Sequence, residues 1–143
     1  MKPENQVCSL ELSKKLKKLG VPQESVFYWR DGKIEYEPFI DSSLCKVYSA
    51  FTVAELGEML PISFIKKGEK YAYAINIIID RNPSGAREFR INYFNMSEDE
   101  KEAKVLPNNF IYSENEANAR AKMLCYLLEN KLMNGLCRAS PPH

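Results

Sequence analysis

The chain carries one histidine, and it is the last residue, His143. Chain ends are the segments least often tied down, so no neighbour that would orient this imidazole is expected. A mixed Cys/His zinc cage and Ser-His-Asp or Cys-His nucleophile activation therefore lack their base or ligand. Net charge is also missing: 20 Lys and Arg face 19 Asp and Glu, giving +1. No global field draws in DNA or an acidic membrane. Long apolar runs are absent too, the longest being Ile77-Ile78-Ile79, far short of a bilayer span. The opening Met1-Lys2-Pro3-Glu4-Asn5-Gln6 has no apolar secretion core, so a cytoplasmic protein is expected. Phosphate-loop and dinucleotide fingerprints are likewise missing. No cofactor and no metal are expected.

What is there describes a foldable chain. It has 143 residues, 45% of them hydrophobic and 27% charged, an ordinary globular balance and enough for one core. One domain over 1–143 is expected, with a folded core at 9–135 and a loose tail at 136–143. The four cysteines, Cys8, Cys45, Cys125 and Cys137, contain no C-x-x-C unit. In a leaderless chain they read as reduced, packed thiols.

Ser9 caps a helix with the stripe Leu12, Leu16, Leu19, stopped by Gly20. Its lysines, Lys14, Lys15, Lys17 and Lys18, form a solvated face. With no helix-turn-helix spacing, nucleic acid is not an expected partner. Asp31-Gly32 lies between two β-prone runs and predicts a hairpin. There Phe27 and Trp29 share the buried face, and Tyr28 and Arg30 the open one. Thr52 and Glu55 form a capping box, with Phe51 and Leu56 as staple. Ile62-Ser63-Phe64-Ile65 reads as a strand, and Tyr71 to Asp80 and Glu88 to Phe94 read as paired strands. Setting Asp80 opposite Glu88 brings Ile79 to Phe89, Ile77 to Ile91 and Ile75 to Tyr93, a coherent apolar face. Asn108-Asn109 reads as a turn. A last helix starts at Ser113-Glu114-Asn115-Glu116 and ends at Asn134-Gly135, with Ala117, Ala121, Leu124, Leu128 and Leu132 as its main stripe. The fold class is α+β: an antiparallel sheet of about four or five strands with helices packed mainly on one face.

The acidic run Glu98, Asp99, Glu100, Glu102 lacks the alternating ligands and glycine of a metal loop, and it reads as solvated. The loop Arg81-Asn82-Pro83-Ser84-Gly85-Ala86-Arg87 offers guanidinium groups and bendable backbone amides, which suit phosphate. Arg90, Asn92 and Asn76 extend that polar face along the strands. The candidate ligand-binding residues are thus Arg81, Arg87 and Arg90 on phosphates, Asn76 and Asn92 as hydrogen-bonding groups, and Tyr28 as a stacking surface, with Arg30 beside it as a ligand-facing partner. No catalytic residue is assigned. An enzyme would have to work with carboxylates, tyrosine or lysine alone.

Over Cys8–Lys14, Phe51–Pro61 and Asn118–Asn130, the chain resembles small phage and prophage proteins of gut bacteria. That resemblance carries no catalytic motif. It implies a viral gene product in the bacterial host cytoplasm, of a kind that acts by stoichiometric binding. The leading expectation is a non-catalytic accessory protein, a candidate homo-oligomer, that binds an anionic, nucleotide-like small molecule and so sequesters a host immune signal. The alternative is a module that masks a host or virion protein through an exposed apolar patch.

Overall fold

The structure is a computed structural model and describes residues 2–36, 46–99, 101 and 103–133. The expected tail, Asn134-Gly135, Cys45, Cys137, Glu100 and Glu102 lie outside the described residues.

The elements run α1 (Leu10–Lys18), β1 (Phe27–Arg30), β2 (Lys33–Tyr36), β3 (Val47–Ala50), α2 (Val53–Met59), β4 (Ser63–Ile65), β5 (Ala72–Arg81), β6 (Arg87–Asn95), β7 (Val105–Ser113) and α3 (Glu116–Glu129). This is the α+β class. Among the described residues the strands number seven, however, and they divide into two antiparallel sheets, ordered β2-β1-β3 and β4-β5-β6-β7. The extra strands are β3 and β7, which the sequence hides. Val47–Ala50 is too short to alternate clearly. In β7, Pro107 and Asn108-Asn109 lie inside the strand rather than in a turn. The register jumps there: Ile91 pairs with Ile111 and Tyr93 with Leu106, so β7 bulges by several residues.

Local chemistry sets the other elements. Asp31 (φ 52°) and Gly32 (φ 75°) form the tight turn between Arg30 and Lys33, left-handed conformations that Gly and Asp accept. β5 and β6 pair with Asp80 opposite Glu88 and Asn76 opposite Asn92. Thr52 Oγ1 accepts from Glu55 N at 3.2 Å, and Glu55 Oε1 accepts from Thr52 N at 2.9 Å. Phe51 and Leu56 are both fully buried in the one core. The cap of α3 is Asn115, not Ser113: its Oδ1 accepts from Asn118 N. α3 also ends at Glu129, with Asn130 as its cap, before the expected Asn134-Gly135.

α3 is the central helix. It packs on β6 and β7 and is touched by α1 and α2. Half of its 14 residues are buried, Ala119 and Cys125 among them, because neighbours cover more than one of its faces. Ile91 and Tyr93 of β6 point into this layer and are fully buried. The N-terminal segment laces the halves together. Cys8 N donates to Phe51 O (3.0 Å), Trp29 Nε1 to Cys8 O (3.0 Å) and Ser9 N to Asn118 Oδ1 (2.7 Å). On the small sheet, Lys14 and Lys17 of α1 set their ammonium groups over the Tyr48 ring, at 5.7 and 5.2 Å. Among the described residues, no helix is long and apolar enough to cross a membrane.

Candidate functional site

The residues singled out for an anionic ligand are brought together only in part: Asn76, Arg90 and Asn92 share one face of the β5–β6 hairpin, while Arg81 and Arg87 have the opposite parity. Tyr28 and Arg30 belong to the other sheet. Tyr28 is 4% exposed, and its hydroxyl donates to Gln23 O and accepts from Ser25 N. Trp29 is the half-buried neighbour. The expected burial is thus reversed, because β1 packs its even-numbered side against the chain entering it. Arg30 pairs with Glu35 at 3.0 Å.

The β5–β6 loop closes on itself. Asn82 Oδ1 accepts from Ser84 N (3.0 Å), Ser84 Oγ (2.6 Å) and Ala86 N (3.0 Å). Gly85 N donates to Asn82 O at 2.8 Å. The amides that would cradle a phosphate are therefore taken by the loop's own asparagine. Arg81 donates from Nη1 to Gly85 O at 2.9 Å. Arg90 donates from Nε to Glu88 Oε2 at 2.8 Å, and that hydrogen bond holds its guanidinium pKa above the ordinary value. An i, i+2 acid–base pair on a strand shares one face, so Glu88-Phe89-Arg90 carried this signal. Asn76 is half-buried. Asn92 is 4% exposed, and its Oδ1 has no hydrogen-bond partner. Arg87 lines a cleft.

The cleft holds about 830 Å³. The β5–β6 hairpin reaches past the helical layer, so the inner face of its tip, with Ile79, Phe89 and Arg87, looks onto the starts of α2 and α3. Val53 and Ala54 add apolar wall; Glu114, Asn115 and Glu116 form much of the rim. The Arg87 guanidinium lies 5.6 Å from the Phe89 ring centroid.

The larger feature is the outer face of the four-stranded sheet, which the helices leave open. Strand alternation puts Asn76, Ile78, Arg90, Asn92 and Phe94 on it. Pairing adds Val105 beside Phe94, Tyr112 beside Arg90, and Ile65 beside Ala72. Ile65, Ile78, Phe94, Val105, Phe110 and Tyr112 are each at least 36% exposed. A shallow hollow of about 310 Å³ beside Arg90, walled by Phe110 and Tyr112, dents this face. Sequence reading saw its asparagines and arginine. It missed Phe94, although that residue has the same parity, and it missed Val105, Phe110 and Tyr112 because β7 was not recognised.

Neither described cysteine is an activated nucleophile. Burial raises the Cys8 thiol and pushes Cys125 up to about 11, which favours the unreactive thiol. Glu69 is held below the ordinary carboxylate value, first by the Tyr73 hydroxyl at 2.7 Å and then by Lys104 and Lys66. This cluster closes the β4–β5 turn. No known protein family, curated protein or solved structure matches the chain.

Proposed function

We propose that this chain is a non-catalytic binding protein whose working surface is the outer face of the β4-β5-β6-β7 sheet, and that the face docks another protein. The observation that carries this reading is the set of six large apolar side chains exposed on that one face. A monomeric protein's largest apolar patch is about 300–600 Å² and is often functional. The charged groups on the face add little pull on an ion, because Arg90 is matched by Glu88. In the setting that the phage resemblance implies, the docked protein is a bacterial or virion protein met in the host cytoplasm. The test uses immobilised chain challenged with bacterial lysate, beside an Ile78→Asp variant whose fold is verified by circular dichroism. A protein retained in near-stoichiometric amount by the wild type and released by the variant is the expected result. Identical retention by both would refute the reading.

A second reading keeps the nucleotide-like ligand and moves it to the cleft. It is favoured by Arg87 above an apolar wall of Ile79, Phe89, Val53 and Ala54, an arrangement suited to a base with an anionic group. Glu114 and Glu116 on the rim oppose a highly charged anion, so a singly charged, cyclic nucleotide fits better than a triphosphate. Calorimetry against a panel of cyclic nucleotides tests it. Heat that disappears in Arg87→Ala supports it, and no heat at protein concentrations well above micromolar removes it.

A further inference from the structure

We infer that the small sheet carries a ligand site of its own, and that it takes a nucleoside monophosphate, free or at the end of a single strand. The site is distinct from the outer face of the large sheet and from the Arg87 cleft, so it is independent of both.

Two elements build it. Trp29 of β1 and Tyr48 of β3 are directly opposite each other, so their rings share one face of the small sheet. Leu10 and Lys14, one helical turn apart on α1, wall that face. Asp31 of the hairpin turn and Lys46 ahead of β3 help to close a pocket of about 320 Å³. Ligand pockets run from about 300 to 1,000 Å³, so this one suits a small guest. Both rings are half-buried. The indole N–H donates to Cys8 O at 3.0 Å, which fixes the Trp29 ring before any ligand arrives.

Charge selects the guest. The lysines here are not equivalent. Lys15 pairs with Glu129 at 3.2 Å, and Lys17 donates to Val47 O at 2.9 Å. Lys14 and Lys46 are exposed, line the pocket and form no salt bridge among the described residues. Lys14 Nζ stands 5.7 Å from the Tyr48 ring centroid, so an anion held there lies beside the aromatic floor. Two ammonium groups suit the dianion that a phosphate monoester carries at neutral pH. A carboxylate or a phosphodiester would leave one of them unmatched. Aromatic rings next to basic groups hold a base by stacking and its phosphate by charge. Asp31 stands on the same rim and opposes the phosphate, which keeps binding weak.

Trp29 is the one tryptophan in the chain, so its emission reports on this pocket. The full chain is titrated with adenosine 5′-monophosphate, adenosine, inorganic phosphate and a short single strand bearing a 5′-phosphate. Binding is read by Trp29 emission, excited beyond the absorption of the base, and by calorimetry. The expected result is saturable binding of the monophosphate, at least tenfold tighter than that of adenosine or inorganic phosphate. Lys14→Ala and Lys46→Ala each weaken it about threefold to fivefold at low salt. Asp31→Asn tightens it about threefold, since asparagine also accepts the left-handed turn. Arg87→Ala changes nothing. These side chains are exposed, and circular dichroism verifies that each variant folds. Binding of the phosphorylated strand without the free nucleotide also supports the site and names a strand end as the source. No saturable emission change and no heat with either one overturns the inference. So does binding indifferent to Lys14 and Lys46, or equal binding of adenosine or of inorganic phosphate. Binding lost only in Arg87→Ala overturns it as well and assigns the ligand to the cleft.

Discussion

Glu55 joins the two halves of the molecule, and its removal is the sharpest test of the architecture. One carboxylate oxygen accepts from Thr52 N at 2.9 Å; the other accepts from Val26 N at 3.1 Å, just ahead of β1. A hydrogen bond to a charged group contributes roughly 1.5–3 kcal/mol when shielded. The Thr52 bond is part-buried and the Val26 bond exposed. We therefore assign about 1 kcal/mol to the first and about 0.5 to the second. Alanine favours the helix slightly more than glutamate does, which returns a few tenths of a kcal/mol. Glu55→Ala should cost about 1.3 kcal/mol, a fall of about 4 °C in Tm. Glu55→Gln should fall between wild type and alanine, because its amide can accept from only one of the two N–H groups and presents a donor to the other. Thr52→Ala should cost about 1 kcal/mol alone. The double variant should cost less than the sum, since both contacts close the same helix end. Urea denaturation, read as a shift in midpoint at constant slope, measures all four. A Glu55→Ala cost below about 0.5 kcal/mol, the level of an ordinary surface change, would refute the bridging role.

Two further predictions concern protonation. Glu69 has a lowered folded pKa, so its contribution to stability is complete above the unfolded value and disappears as pH falls through the folded one. Glu69→Gln should destabilise at pH 7, and its deficit should shrink as pH falls below the ordinary carboxylate range; a deficit that does not change with acidification contradicts the assignment. In a Cys45→Ser, Cys137→Ser background, Cys8 and Cys125 should resist Ellman's reagent at pH 8 until urea is added. A thiol at about 11 is only about one-thousandth ionised there, and rapid stoichiometric labelling of the native protein would contradict its burial.

The parts of this fold legible in the sequence are those fixed by near neighbours. The Asp31-Gly32 turn, the Thr52–Glu55 cap and the Asp80–Glu88 register each depend on residues within one hairpin or one helical turn. What was illegible depends on distant packing. Tyr28 is buried and Trp29 half-buried because of which side of β1 the preceding chain covers, and β1 alone shows only that the two differ. β7 breaks its own alternation at Pro107. The candidate site suffered in the same way. Arginines on a loop look available until their acceptors are counted, and Arg90 and Arg81 already hold Glu88 and Gly85. Once β7 is in place, its aromatic side chains turn a polar ribbon into a largely apolar plate.

The borders of that plate decide how the protein behaves when crowded. On one side the last strand is three residues long, and on the other it is buckled and contains Pro107, which has no N–H to offer. Neither border offers a straight ladder onto which an incoming chain could knit. Lateral extension into a fibre is blocked, so a concentrated solution should yield discrete particles rather than ribbons, even with so much oily surface in water.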